Sequence, residues 1–347
     1  MIITTISAVQ PPTPAAPDDW RTQLGQVLVK VQTDSGVCGF GVGGGGSASI
    51  HVIETVLSDL LVGQDPSEVE QLHNQMCCHT AFYGRKGLVV MAISGVDLAL
   101  WDIRGKVNET SVAKLLNTNV DFDLPIPTYT TVSDDEQAKT AIEAGDQAIK
   151  LHVERFGDRP SPAEIGSLVN RTRNQLGADA QIMVDAFARW DLDTTLRVAD
   201  EIVPHGVTWL EEPLGPDDLD GYAVLMANSP VPIAGGEHEY LRVGFRQLID
   251  GRLHAILQPD INWCGGLTTL VEIYRMANDA GIRVCPHRGC EPYALPAIAA
   301  FDRMPLAESP RSWFTCLHGA PQITKGIIRT SRAHGFGISV DEAIWSK

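Results

Sequence analysis

Apolar and polar residues alternate in two short runs early in the chain, and the period then changes. Residues 26–33 alternate, Asp34-Ser35-Gly36 supplies a turn, and residues 37–42 return, which predicts a β-hairpin. Beyond Ala48 apolar residues recur at helical spacing, predicting helices over 51–61, 67–78 and 87–105. The Pro-rich stretch 11–17, set between early strand segments, predicts a mobile loop. Together these segments read as an α+β unit.

From Pro127 the rhythm becomes one of short apolar runs, each followed by a longer amphipathic segment. Ile182-Met183-Val184, 207–210, Ile233-Ala234, Ala255-Ile256-Leu257, 282–285 and 304–307 are such runs. Strands alternating with helices predict parallel strands joined by crossovers. About eight strands fit between Pro127 and Glu308, a count close to that of a (β/α)8 barrel. The last segment, from Trp313, lacks this rhythm. The expected organisation is therefore 1–124 as an α+β domain, 125–312 as a barrel, and 313–347 as a segment returning to the first domain.

Composition narrows the function. With 44% hydrophobic and 20% charged residues among 347, the chain can bury a large core and is not disordered. Asp and Glu number 43 against 27 Lys and Arg, a formal charge of −16. Nucleic-acid affinity rests on clustered basic residues, so no nucleic-acid partner is expected. The longest apolar stretch, 88–101, is broken by Ser94 and Asp97 and falls short of the ~20 residues of a membrane span. The N-terminus has no basic region and no long apolar run, and seven scattered cysteines suggest no disulfide framework, so a cytoplasmic location is expected. Cys285 and Cys290 flank His287, but no second cysteine pair stands nearby and zinc is not the expectation. Gly39-Phe40-Gly41-Val42-Gly43-Gly44 fits G-x-G-x-x-G, yet its strand is the return arm of a hairpin with no parallel partner to follow, so dinucleotide binding is not expected either.

The candidate chemistry sits at the strand ends. Asp185, Glu211, Glu237, Asp260, His287 and Glu308 each close an apolar run, one strand–helix unit after another. A single acidic residue in such a place is often a helix cap or a solvated loop group. Six in succession are a site, because the C-terminal ends of parallel barrel strands meet on one face. Three carboxylates brought together repel one another unless a divalent cation lies between them, and all-oxygen ligands select Mg2+, with Mn2+ next. A histidine one unit after an aspartate is placed to be held by it and made more basic.

These residues carry a resemblance. Val184-Asp185, Trp209-Leu210-Glu211-Glu212-Pro213, Gly235-Gly236-Glu237, Gln258-Pro259-Asp260 and Pro286-His287, with the helical segment 97–106, resemble the enolase superfamily, mandelate racemase subgroup. The resemblance implies an α/β fold, a modified (β/α)7β TIM-type barrel with an α+β capping domain. It implies one Mg2+ per subunit on Asp185, Glu211 and Glu237, His287 as base oriented by Asp260, and a protonated Glu308 as donor to a second enolate oxygen. Lys150 matches the first Lys of the subgroup's Lys-x-Lys, near the substrate carboxylate. His152 departs from the second and is open as an alternative base, a hydrogen-bond donor or a packed imidazole.

Gly236-Glu237-His238-Glu239-Tyr240 and the run 258–266 are most similar to L-rhamnonate dehydratases and related acid-sugar dehydratases. That likeness implies α-proton abstraction from an aldonate or aldarate, a metal-stabilised enolate, loss of the β-hydroxyl and a 2-keto-3-deoxy acid. The alternatives are a racemase or epimerase of a 2-hydroxy or amino acid, using Lys150 or His152 on the second face, and a non-catalytic relative. His238 and Arg288 are candidate substrate contacts beside the ligands. Arg21, Tyr83, Arg85 and Lys86, on loops 11–23 and 79–86, are candidates at the substrate's distal end. The expected partners are a small-molecule sugar acid and further copies of the chain in a symmetric homo-oligomer.

Overall fold

The computed structural model describes residues 1–16 and 18–345, so Pro17 of the predicted 11–17 loop lies outside the described residues. Strands β1 (Ile3–Val9), β2 (Val27–Thr33) and β3 (Cys38–Gly43) form an antiparallel sheet in the order β1-β2-β3. The predicted turn closes the β2–β3 hairpin, with Gly36 at φ +83° donating its N–H to Thr33 O. The helix predicted over 51–61 instead begins earlier, running through Gly46–His51, a π-helical turn Val52–Leu57, and Ser58–Leu61. Helices Val69–Thr80 and Leu88–Val107 follow.

The structure gives the glycines of 39–44 a packing role. Successive glycines on one face of β3 meet successive turns of the helix Leu88–Val107. A Cβ at Gly39, Gly41 or Gly43 would run into the carbonyl oxygens of Ala99, Gly95 or Met91. Period two on the strand thus meets a spacing of four on the helix, and only residues without a side chain let the two backbones come this close. Gly41→Ala is expected to destabilise the protein by about 1–3 kcal/mol through overpacking. Urea denaturation checks this, and a midpoint equal to the parent's would contradict the close approach.

Eight parallel strands make the second unit: β4 (Ile126–Val132), β5 (Ala148–His152), β6 (Gln181–Asp185), β7 (Val207–Glu211), β8 (Ile233–Gly235), β9 (Ile256–Leu257), β10 (Arg283–Val284) and β11 (Ala307–Glu308). They pair in the order β10-β9-β8-β7-β6-β5-β4-β11. β10 and β11 are not paired as strands, and the chain from β10 onward reaches β11 through Cys285 Sγ to Leu306 O at 3.4 Å and Cys290 N to Glu308 O at 2.9 Å. One helix lies between each consecutive pair of strands, from Asp135–Glu143 to Leu295–Phe301, which is the (β/α)7β arrangement. Asp134, Asp191 and Asp218 cap three of these helices through their carboxylates.

The segment after Trp313 forms short strands β12 (Leu317–His318), β13 (Ile327–Ile328) and β14 (Ser339–Val340). β13 pairs with β4, and further on the chain touches the first sheet and its long helix. Phe336 N donates to Asp102 Oδ1, Lys30 Nζ meets Glu342 at 2.8 Å, and the Trp345 ring stacks on Phe40. The long helix in turn is pinned to the barrel, because Asp97 accepts from Thr268 N and Oγ1, and Ser94 Oγ accepts from Gly265 N. Among the described residues no helix is long and apolar enough to cross a membrane.

Candidate active site

The barrel interior is filled by one residue from or beside each strand: Tyr129, Ala148, Met183, Trp209, Ala234, Ile256, Cys285 and Leu306. Side chains alternate along a strand, so the residue two positions on faces inward again, one layer nearer the C-terminal mouth. Those positions are Thr131, Lys150, Asp185, Glu211, Gly236, Gln258, His287 and Glu308. An apolar plug is thus overlaid by a layer of polar groups. At β8 the inward position is Gly236 at φ +112°, a left-handed turn that hands the carboxylate to the next residue, Glu237.

Most of this layer is buried and mutually bonded. Lys150 Nζ lies 2.5 Å from Glu211 Oε1, 3.1 Å from Glu308 Oε1 and 3.5 Å from Asp185 Oδ2. Glu211 Oε2 also accepts from Gln258 Nε2 at 2.6 Å and from Trp209 Nε1. Across the mouth, His287 Nδ1 lies 2.9 Å from Asp260 Oδ2, and its Nε2 faces Glu237 Oε2 at 3.3 Å and Glu308 Oε2 at 3.7 Å. Glu308 further accepts from Thr131 Oγ1 and from Arg288 N. The left-handed residues Phe187, Ala188, Glu212 and Arg288 lie in the loops just beyond β6, β7 and β10, where backbone strain is held in place by the surrounding bonds.

The charges explain how these groups titrate. Burial pushes Glu211 up to about 8, and the neighbouring carboxylates add to this against the pull of Lys150. Burial likewise raises Glu237, with Glu212 and Asp185 adding to it against His287 and His238. Burial alone would lower His287, but Glu237, Glu308 and the bond to Asp260 raise it to about 8. Burial would raise Asp260 too, yet the His287 bond and the charges of His287 and Arg311 hold it below the usual carboxylate value. Glu308 differs from the protonated donor expected of it. Although burial works the other way, Lys150, His287 and Arg288 keep it well below the ordinary value, so in this arrangement it is an ionised acceptor.

The donor set fits a hard divalent cation. Asp185, Glu211 and Glu237 offer only carboxylate oxygens, and burial, with neighbouring carboxylates adding to it, raises Glu211 and Glu237 in a way that a bound dication would counter. Gln258 Oε1, beside Glu211, is buried with no donor. Glu212, Glu237 and His238 also bring three ligand atoms within 4.8 Å of one another. That cluster is a weaker metal site, because Glu212 Oε2 holds His238 Nδ1 at 2.7 Å and, against burial, raises the imidazole to about 10. A metal ligand must be the neutral imidazole, and the bond to Glu212 favours the charged one.

The remaining candidates are distributed unevenly. His152 lies at the end of β5, with Nε2 3.9 Å from Asp185 and its ring 5.3 Å from Phe187. Arg288 is half-buried and contributes its backbone N–H to Glu308. Lys86 reaches from the first unit to Asp217 and Glu239, loop residues of the barrel, at 3.0 and 3.2 Å. Arg21 is exposed and paired with Asp19, and Tyr83 and Arg85 are exposed. Trp263, whose buried Nε1 has no partner, packs between His238 and His287 and was not a candidate in the sequence. A cavity of about 520 Å³ lies elsewhere, between the helices of the two units. It includes none of the strand-end residues, so the barrel mouth remains the site.

Comparison with known proteins places this geometry. Residues 3–117 match the mandelate racemase / muconate lactonizing enzyme N-terminal domain, and 134–344 match the enolase C-terminal domain-like family. The L-rhamnonate dehydratase of Saccharopolyspora erythraea is 33% identical over 340 residues, covering 92% of this chain and 84% of the relative. The 3,6-anhydro-D-galactonate cycloisomerase of Zobellia galactanivorans superposes with a TM-score of 0.89 at 27% identity, covering 100% of this chain and 99% of that one. The L-talarate dehydratase of Polaromonas sp. JS666, solved with Mg and L-glucarate, gives a TM-score of 0.85 at 28% identity over 99% of this chain and 96% of that one.

Proposed function

Because the chain belongs to the mandelate racemase / muconate lactonizing enzyme family of the enolase superfamily, we propose that it dehydrates a sugar acid, an aldonate or aldarate of the L-rhamnonate type, to a 2-keto-3-deoxy acid. The observation that carries this reading is the Asp260–His287 pair, whose Nε2 faces the carboxylate layer at the barrel mouth. Asp185, Glu211 and Glu237 would hold one Mg2+ per subunit. That ion would supply Lewis-acid stabilisation of the charge developing on the substrate carboxylate as the α-proton leaves.

The chain's own residues do the proton work. Asp260 holds His287 through Nδ1, so Nε2 is the nitrogen that takes up and gives back the proton. As the α-carbon–hydrogen bond breaks, the proton passes to Nε2 and Asp260 stabilises the imidazolium. As the β-carbon–oxygen bond breaks, the same proton goes to the departing hydroxyl, which leaves as water. The enol that remains tautomerises to the ketone. Lys150, buried between Glu211 and Glu308, supplies positive charge for an anionic substrate inside an acidic protein. His152, across the mouth from His287, supports a second reading as a racemase or epimerase with one base on each face.

Incubation with aldonic and aldaric acids plus Mg2+ in D2O separates the two. Dehydration yields a 2-keto acid with solvent deuterium at C3. Recovered substrate with α-deuterium and inverted configuration, without keto product, would sink the dehydratase in favour of the racemase. A cytoplasmic homo-oligomer belongs to the same proposal, and light scattering on the purified protein tests its assembly.

A further inference from the structure

Three loops leave the C-terminal edge of the barrel carrying the groups that handle the proton: Asp260 after β9, His287 after β10 and Glu308 at the end of β11. Each loop also carries a polar residue a few positions further on, namely Asn262, Glu291 and Arg311. All three are buried. Arg311 donates from Nε and Nη2 to Glu291 Oε1 and Oε2 at 2.6 and 2.5 Å. Glu291 Oε2 also accepts from Asn262 Nδ2 at 2.9 Å. Asn262 N donates to Asp260 Oδ1 at 2.7 Å, and Asp260 Oδ2 meets His287 Nδ1 at 2.9 Å. An unbroken chain of bonds thus runs from Arg311 through Glu291, Asn262 and Asp260 to His287.

Stability alone does not account for the chain. A buried ion pair loses so much hydration that apolar residues of the same shape usually hold a fold as well. What the forked Arg311–Glu291 pair adds is direction, since two parallel bonds fix the carboxylate plane. Asn262 meets that carboxylate even though its own Oδ1 has no donor, so the bond to Glu291 sets the orientation of its amide. With Asn262 fixed, its backbone N–H is aimed at Asp260 Oδ1, and Oδ2 is left for the imidazole.

We propose that Arg311 and Glu291 are positioning residues for the Asp260–His287 pair, acting through Asn262 and cross-linking the three loops that carry the proton-handling groups. The proposal rests on the role given to His287 above and deepens it. Neither residue reaches the substrate, so the effect is on how well the imidazole is held.

The test uses the full-length protein and a signal that needs no substrate, the downfield proton resonance of His287 Nδ1–H bonded to Asp260. Its assignment is its absence in His287→Gln. In the double variant Glu291→Gln/Arg311→Met, which leaves no lone buried charge, we expect loss of that resonance. On whichever sugar acid is turned over, kcat should fall by about 10–100-fold with KM near the parent's. Asp102→Asn, which breaks a buried ion pair in the first unit, serves as a control that lowers stability while keeping the resonance. A folded double variant with the parent's resonance would overturn the proposal, whether or not a substrate has been found. If the double variant does not fold, Asn262→Ala cuts the same link and must lose the resonance, and its retention there is equally fatal. A parent protein lacking the resonance would remove the Asp260–His287 bond itself and with it the proposal. Failure of the sugar-acid screen alone touches only the reaction.

Discussion

Replacing His287 with asparagine is expected to lower turnover of the sugar acid by about ten-thousand-fold. General acid–base catalysis by one group is worth roughly 10²–10⁴-fold, and the upper end applies because this imidazole acts twice, taking the α-proton and returning it to the leaving hydroxyl. By the usual conversion that is about 5.5 kcal/mol of barrier. Asparagine is close in size to the inner part of the imidazole and can still bond Asp260, so the loss should fall on kcat and leave KM little changed. Two readouts check this. Steady-state kinetics gives the split, and exchange of the α-proton with D2O, which reports the first step alone, should vanish with it. A variant that still exchanges the α-proton at the parent's rate would move the base elsewhere, with His152 as the next residue to replace.

Removing the metal is expected to have the second largest effect, visible in stability as well as in rate. Asp185, Glu211 and Glu237 lie buried in a layer where Lys150 is outnumbered by carboxylates, and their repulsion is relieved when a dication sits among them. Mg2+ at about one hundred times its Kd should stabilise the protein by about 2.7 kcal/mol. For a chain of this length that is a rise in Tm of roughly 4 °C. Glu237→Gln should lose the rise. In the presence of a chelator the same variant should melt no lower than the parent, because it deletes one of the repelling charges. Calorimetric scans of both proteins with Mg2+ and with EDTA decide the matter, and a parent Tm indifferent to Mg2+ would refute this cation site.

Much of the site was legible before any fold was known, for a geometric reason. Parallel strands of a barrel end on one face, so Asp185, Glu211, Glu237, Asp260, His287 and Glu308 could be brought together from their spacing alone. Lys150 and His152 were readable through the resemblance, which puts a Lys-x-Lys pair at this point of the chain, and the period of two places both on one side of the strand. The glycines at 39–44 show the converse. Their spacing matched a nucleotide-binding motif, but on an antiparallel return strand the same period makes a smooth face for a helix backbone.

Other features carried no such signal. Asn262, Glu291 and Arg311 lie on three loops far apart in sequence, with no common period, and only the packing of those loops brings the three together. The bond between Glu212 and His238 was equally hidden, because neither residue reveals on which side of the mouth it stands. Candidates on the first unit's loops were named for their chemistry, and the structure sorted them by reach. Lys86 bridges to Asp217 and Glu239, while Arg21 turns back on Asp19.

The order of elements, the alternation of about eight strands with helices and the identity of the six strand-end groups were determined by the sequence, because each rests on a period of side-chain character that local backbone geometry must obey, while the (β/α)7β form followed from the resemblance. The protonation of Glu308, the division of the carboxylates between Lys150 and the imidazoles, and the bond chain behind His287 were decided by the tertiary structure alone. Those properties depend on distances of a few ångströms between groups that no local period relates, in a buried layer where each charge sets the state of its neighbours.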